Sequence, residues 1–592
     1  MKKLFVILFI SFLLIFNLFS QENTDKNNSS SIISEKLLKI EGYVKKFDDH
    51  KPFKYGNIIL KQFKDNKIIT KSFEIREDGY FLISDLRPGK YGLNIDIFGA
   101  ELKIKSDKNY KEFELKDNMN IVLPVEPKFL DYMLIYVSII RDFMWANWMI
   151  FLLVGTGVIL TFVTRFVQVR RLIRALSYVF KGSTKKGKKE MKKLEGDISP
   201  FQALMTALAA TVGNGNIAGV ATAIAIGGPG APLWMWIAGF FGMATKYAEG
   251  FLGVKFRIKN KLGEMAGGPM YYARYGIKKQ NIAKILGATF AIMGGFAALF
   301  GTGNMAQSNS MALAINVQFN IPFWVTGLLL AIFTGIVTIG GIKRIGEVTE
   351  KLVPGMIFLY FGGALVVILA NFAKIPDAFA LIFSAAFTGK AAVGGLIGTS
   401  IQKAISIGVS RGVLSNESGM GTASIAQAAS SSPDPTYNGL IAMTGTFIDT
   451  IVVNTLTTLT IILSGLYLKT QAFGVSEGLT STALTSKAFS TVIPYGGVIV
   501  ALASLLFGYS TLVAWSYYGE KCLEYLFGEK IIMSYRILFV VLVFIGAIIQ
   551  GAHLNIIWYV GDISNAFLII PNVLAILILV KVVRKETIKK LY

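Results

Sequence analysis

One cysteine and two histidines are all that this 592-residue chain has of the side chains that most often cross-link covalently or bind transition metals. Cys522 alone excludes an internal disulfide framework, and it falls in an expected cytoplasmic loop. His50 and His553 lie far apart, so no transition-metal site is expected. Charge is also sparse, at 16% of residues, and acids are fewer than bases: 37 Asp and Glu against 60 Lys and Arg. The net charge of +23 invites a nucleic-acid partner, yet the basic residues gather beside hydrophobic stretches, which is the pattern of membrane topology and not of nucleic-acid binding. What is abundant is apolar: 53% hydrophobic residues and a mean hydropathy of +0.53 mark a polytopic membrane protein. No acid–base or metal constellation faces water, so enzymatic activity is not expected.

Met1–Ser20 carries Lys2 and Lys3, then an apolar run from Leu4 to Phe19, which is a secretory signal pattern. Residues 21–37 are polar and rich in Asn and Ser, the composition of a disordered linker. Over 38–125 the chain alternates. Lys39–Val44, Asn57–Leu60 and Tyr80–Ile83 read as strands, and Arg87-Pro-Gly-Lys90 reads as a turn. Asp78-Gly-Tyr-Phe81 with Asp85-Leu-Arg-Pro-Gly-Lys-Tyr91-Gly-Leu93 resembles the carboxypeptidase regulatory-like β-sandwich, an accessory domain expected here on the outside.

From Trp145 onward there are eleven hydrophobic stretches, near 145–165, 201–224, 231–255, 285–312, 320–340, 352–372, 392–413, 437–466, 494–518, 532–552 and 555–581. Each has the roughly 20 residues that a bilayer core requires. The connection 165–197 holds eleven Lys and Arg against three acids, 255–284 holds eight, and the tail from Lys581 holds five. The alternate connections are poor in both, with none in 313–322 and two each in 372–392 and 467–493. The positive-inside rule therefore sets the amino terminus outside and the carboxyl terminus in the cytoplasm, in agreement with the signal pattern.

Within the second stretch, Thr211-Val-Gly-Asn-Gly-Asn-Ile-Ala-Gly219 brings three glycines and two asparagines to mid-membrane depth. Such a sequence weakens a helix where lipid offers no substitute hydrogen bonds, and it is tolerated where the backbone lines a cavity or where helices cross closely. Broken helices of this kind build ion and substrate sites in secondary transporters.

Gly227-Gly-Pro-Gly-Ala-Pro-Leu-Trp-Met-Trp-Ile237 and Gly242-Met-Ala-Thr-Lys-Tyr-Ala-Glu249 are joined by Asp197–Gln202, the glycine break 213–219, Gly267-Gly-Pro-Met-Tyr-Tyr272, Gly303-Asn-Met-Ala-Gln307, Arg411–Glu417, Ser510-Thr511 and Trp515–Tyr518. In these motifs the chain, across 145–592, resembles the alanine or glycine:cation symporter family. Asn214 departs from the threonine or other small residue that is usual there, and Pro232-Leu233 from the usual leucine-phenylalanine.

The resemblance implies an all-α membrane domain with a LeuT-like core: ten helices in two inverted five-helix repeats, 201–372 and 392–581, preceded by one further helix. The first helix of each repeat is then discontinuous, the second with unwinding expected at Gly398–Ser400 or Gly408. A small neutral amino acid, alanine or glycine, is a zwitterion. Free N–H groups at Gly213, Gly215 and Asn216, at the start of a half-helix, suit its carboxylate. By similarity to that core, Na⁺ is held by the carbonyls of Ala209 and Val212 and the hydroxyls of Ser510 and Thr511. Gln307 either receives the substrate ammonium or makes an interhelical amide bond. Thr511 and Trp515, four apart on one helix, form a pocket wall on the resemblance; without it, a packing role serves Trp515 equally.

Three ionisable residues inside hydrophobic stretches, and Glu417 just past the end of one, call for comment. Lys246 and Glu249 read as a structural pair or a gate, Asp449 as a coupling or packing residue, and Glu417 as a gate or a helix cap. The function expected is Na⁺-coupled import by alternating access, with proton coupling, a passive channel and a ligand sensor as rivals.

Overall fold

The computed structural model describes residues 38–592, apart from 47–50, 65–66, 98–99, 103, 105–109, 111, 185–194, 389–400, 471–478 and 551. The expected signal segment and linker, 1–37, and Gly398–Ser400 lie outside the described residues.

Residues 38–125 form two sheets. Strand β1 (Leu38–Lys46) pairs antiparallel with β4 (Tyr80–Leu86) and parallel with β8 (Met119–Val125). The second sheet runs β3 (Lys67–Glu74), β2 (Asn57–Lys64), β5 (Gly89–Ile97), β6 (Ala100–Leu102), with β7 (Phe113–Leu115) also on β5. Alternate residues point inward, as the two-residue period of a strand dictates. Ile40, Val44, Ile58, Phe81, Ile83, Leu93, Ile95 and Leu123 make a shared core from which water is excluded.

Helices follow: α1 (Phe129–Met144), α2 (Asn147–Val163), α3 (Pro200–Thr211), a π-helical turn (Gly215–Gly219), α4 (Val220–Gly227), α5 (Ala231–Lys255), α6 (Gln280–Phe300), α7 (Met305–Phe319), α8 (Phe323–Thr338) and α9 (Gly341–Ala370). After them come α10 (Ile401–Asn416), α11 (Thr422–Ala428), α12 (Pro435–Thr446), a second π-helical turn (Phe447–Val453), α13 (Asn454–Leu463), α14 (Gly496–Phe527), α15 (Ile532–Ile548) and α16 (Ala552–Leu591). Among the described residues seven helical spans are long and apolar enough to cross a membrane, and the bent pair α3 and α4 makes an eighth. Their outward faces carry large apolar side chains such as Ile285, Phe358, Leu369, Ile537 and Ile578, all exposed, which suits lipid and not water.

The first break lies where the glycines and asparagines of 211–219 predict it: α3 stops at Thr211 and the axis bends by 49° into the following helix. The start of α3 is fixed locally by Ser199, which accepts the N–H of Gln202 while Gln202 accepts that of Ser199. Of the two places that the sequence reading offers for the second break, Gly398–Ser400 lies outside the described residues, and Gly408 is not a break. Gly408 lies inside the continuous helix α10, where the missing side chain admits the backbone of α5: a Cβ there would stand 2.4 Å from the Ala231 carbonyl oxygen. The chain unwinds instead at 417–421, with positive φ at Glu417 (53°), Gly419 (95°) and Gly421 (81°). Cys522 also differs from expectation. It is buried within α14, which continues past the apolar stretch because Lys521 and Glu524 neutralise each other at 2.7 Å.

Candidate functional site

Asn216 sits in the first π-helical turn, fully buried, and every atom of its amide is engaged. Its Oδ1 accepts the N–H of Gly213 at 2.8 Å, closing the break on itself. Its Nδ2 faces Asp449 Oδ1 at 2.6 Å, Asn454 Oδ1 at 2.9 Å and Ser415 Oγ at 3.1 Å, and its carbonyl accepts from Thr457 Oγ1 at 2.8 Å. Asp449 belongs to the second π-helical turn, so the two widened turns are tied to each other through a single side chain. Its carboxylate further accepts from Ser415 Oγ and, at 2.7 Å, from Thr450 Oγ1. A buried carboxylate is tolerable only with such donors around it.

On the other side of the break three oxygens converge. Ser510 Oγ lies 3.1 Å and Thr511 Oγ1 3.3 Å from the Ala209 carbonyl, and each hydroxyl also meets the Phe507 carbonyl at 2.9 Å. Val212, where the backbone leaves the helix at ψ 92°, is buried beside them. A Cβ on Gly213 would come within 3.1 Å of Thr511 Oγ1, so the break and α14 touch directly. Gln307, half-buried on α7, accepts from Asn214 Nδ2 at 3.3 Å, while Asn214 Oδ1 is buried with no hydrogen-bond partner. Across from Gly215 stands Ser415, whose Cα lies 3.4 Å from a Cβ built on that glycine.

Trp515 connects this region to the second break. Its indole N–H donates to Glu417 Oε1 at 3.1 Å, and its ring lies against Gly303, where a Cβ would be 2.7 Å from ring carbons. Only glycine fits at 303. Glu417 Oε2 accepts from Thr422 Oγ1 at 2.5 Å. The unwound segment itself is anchored by Glu249 of α5. Its Oε1 accepts the N–H groups of Gly419 (2.9 Å) and Gly421 (3.0 Å) and the Nδ2 of Asn572 (2.9 Å). Lys246 approaches the other oxygen only to 4.0 Å, and neither its Nζ nor Glu249 Oε2 has a hydrogen-bond partner among the described residues.

A third acidic group, Glu264, Glu520 and Glu524, brings three carboxylates together at one end of the bundle. Each of the three is already paired with a cation, Glu264 and Glu524 with Lys521 (2.9 and 2.7 Å) and Glu520 with Arg536 (2.7 Å).

Residues 131–590 match the model of the sodium:alanine symporter family. The chain belongs to this family. A relative at 48% identity over 451 residues, covering 76% of this chain and 96% of its own, is the sodium/alanine symporter AgcS of Methanococcus maripaludis. The probable sodium/glutamine symporter GlnT of Bacillus subtilis is 35% identical over 76% of this chain and 88% of its own. Among solved structures, MhsT in complex with L-phenylalanine aligns with a TM-score of 0.47 at 14% identity, over 65% of this chain and 89% of that one. The family consists of transporters, so this symporter is a membrane-embedded transport protein and not an enzyme.

Within the symporter, the residues singled out from sequence divide into two groups. Ala209, Ser510 and Thr511 meet, and Gln307 reaches the break through Asn214. Asn216, by contrast, is turned wholly to protein partners, and the Gly213 N–H is taken by it. Ser415, Asn454 and Thr457 went unnoticed in the sequence, because small polar residues in apolar helices carry no periodic signal. Lys246 and Glu249 are neighbours without a hydrogen bond. Glu249 instead serves the second break, from 170 residues away in sequence.

Proposed function

We propose that the symporter couples Na⁺ entry to import of small neutral amino acids, alanine or glycine among them, by alternating access. The observation that carries this reading is the meeting of the Ala209 carbonyl with the Ser510 and Thr511 hydroxyls beside an unwound helix. Because each hydroxyl has a second acceptor in the Phe507 carbonyl, its hydrogen can turn there and leave a lone pair for an ion next to Ala209. Val212 is the fourth ligand of this reading. The substrate carboxylate lies at the break beside Gly215, with Asn216 taking the Gly213 N–H and holding the break in shape. Gln307 receives the ammonium, and Thr511 and Trp515 bound the side chain, which keeps it small. Ion binding stiffens the break and completes the carboxylate site, so each ligand raises the affinity of the other by the same factor.

The same reading has eleven membrane helices: one followed by two inverted repeats of five, 201–372 and 392–581. It has a cleaved or anchoring signal at 1–20, a linker at 21–37, an accessory carboxypeptidase regulatory-like sandwich at 38–125 outside, a transport domain at 145–592 and a cytoplasmic carboxyl terminus. The Lys- and Arg-rich connections support that orientation.

Radiolabelled alanine uptake into proteoliposomes, with an inward Na⁺ gradient and then with a Na⁺ ionophore, tests the coupling. Accumulation that collapses with the ionophore is expected. Uptake that merely equilibrates without regard to Na⁺ would refute it in favour of a passive or proton-coupled carrier. Excess glycine and glutamine as competitors then rank the substrates. In the same assay Ser510→Ala combined with Thr511→Val is expected to raise the half-saturating Na⁺ concentration about tenfold or more, since two charge-assisted oxygen contacts disappear. An unchanged Na⁺ dependence would move the cation site elsewhere.

A further inference from the structure

A cavity of about 600 Å³ opens at the end of the bundle where α5 and α14 finish and α6 and α15 begin. Its walls come from the hairpin after α5 (Lys259, Lys261), from the short helix Pro269–Gly276 (Arg274, Tyr275), from α6 (Lys284) and from the end of α14 (Tyr525). Cations outnumber acids four to two in the lining, and both acids are engaged by the protein. Glu524 accepts from Lys521 Nζ and Asn260 Nδ2, and Glu529 accepts the N–H of Lys261. Among the cations, Lys259 is paired with Glu195 at 2.8 Å and Arg274 donates to Gln280. Lys284 makes no ion pair among the described residues. Tyrosines 271, 275 and 525 stack beside them, with Tyr271 edge-on to Tyr525 at 5.3 Å.

We propose that this cavity binds the headgroup of an anionic glycerophospholipid. The charge excess and tyrosine hydroxyls suit a phosphate diester, and basic pockets between membrane helices at the bilayer surface take such groups. The choice of lipid over a soluble phosphate rests on what adjoins the cavity. One residue beyond Lys284, the outer face of α6 becomes an exposed apolar strip of Ile285 (65% exposed), Ile292 and Phe296, running away along a membrane span. Leu262 and Phe527, next in sequence to the lining residues Lys261 and Leu526, are exposed as well. A headgroup held at Lys284 and Arg274 has its acyl chains laid on that strip, whereas a soluble phosphate gains nothing from it. The inference is independent of which solute is carried.

The test is native mass spectrometry of the full chain in detergent, titrated with phosphatidylglycerol or phosphatidylcholine, with and without millimolar inorganic phosphate. Wild type is expected to retain phosphatidylglycerol at least about tenfold more tightly than phosphatidylcholine, undisturbed by phosphate. Lys261→Ala with Lys284→Ala is expected to weaken that retention by about 25-fold, while Lys374→Ala, at a distant exposed lysine, leaves it unchanged. Equal retention of the two lipids by wild type, or equal binding by the double variant, would overturn the proposal. Displacement by inorganic phosphate would overturn it in favour of a soluble-phosphate site.

Discussion

Asn216→Ala is expected to cut Na⁺-dependent amino-acid uptake by about a hundredfold or more, the equivalent of about 3 kcal/mol. The substitution withdraws one side chain from both widened turns at once. Asp449 loses its closest donor, at 2.6 Å, and keeps only hydroxyls; Ser415 and Asn454 lose the same partner. The Gly213 N–H loses its acceptor, which alone costs about 1–3 kcal/mol for a buried group. The break then has nothing to fix its path beside Ala209 and Thr511. Thermal melting in detergent separates this from simple unfolding. Adding Asp449→Asn to the variant removes the stranded charge, so melting temperature is expected to recover while uptake does not. Recovery of both would show that charge balance, and not the shape of the break, is what Asn216 supplies.

The second large effect is expected at Glu249. Glu249→Ala leaves the N–H groups of Gly419 and Gly421 and the amide of Asn572 without their acceptor, and leaves Lys246 as a buried cation with no opposing charge at 4.0 Å. Removing one partner of a buried pair costs about 3–5 kcal/mol, so a melting decrease of many degrees or failure to accumulate is expected. Glu249→Gln retains an acceptor for the glycine N–H groups and is expected to fall between. Lys246→Met added to Glu249→Gln removes the stranded ammonium and is expected to regain stability. If Glu249→Ala melts as wild type does, the second break is held by something other than this carboxylate.

The two breaks differ in how visible they are in the sequence, and the reason is physical. Residues 211–219 destroy helix propensity locally, with three glycines and two asparagines in nine positions, so the break is legible without any neighbour. At 417–421 the glycines are as frequent, but Gly408 looks equally suitable, and what marks 417–421 is Glu249 reaching across from another helix. Gly408 is glycine because α5 passes against it, a requirement of packing that composition does not distinguish from unwinding. The strands β1, β2 and β4 were readable from alternation alone. Asp449 was conspicuous as a charge in an apolar run, yet its partner Asn216 is 233 residues away and no spacing rule joins them. The apolar stretch ends at 518, which sets Cys522 in a loop by hydropathy alone, whereas the helix continues to Phe527 through charged residues that are ion-paired.

The anchoring of Glu249 has a consequence for how the chain is made. All three of its donors lie far downstream, at Gly419, Gly421 and Asn572, so α5 leaves the ribosome long before any of them exists. Until then it holds an ammonium and a carboxylate within an apolar helix, where a charge costs up to about 2.5–3.5 kcal/mol at the helix centre on insertion scales. The amino-terminal half of the protein is therefore an incomplete assembly during much of synthesis, and α16, which follows the other described helices in the chain, supplies one of the bonds that closes it.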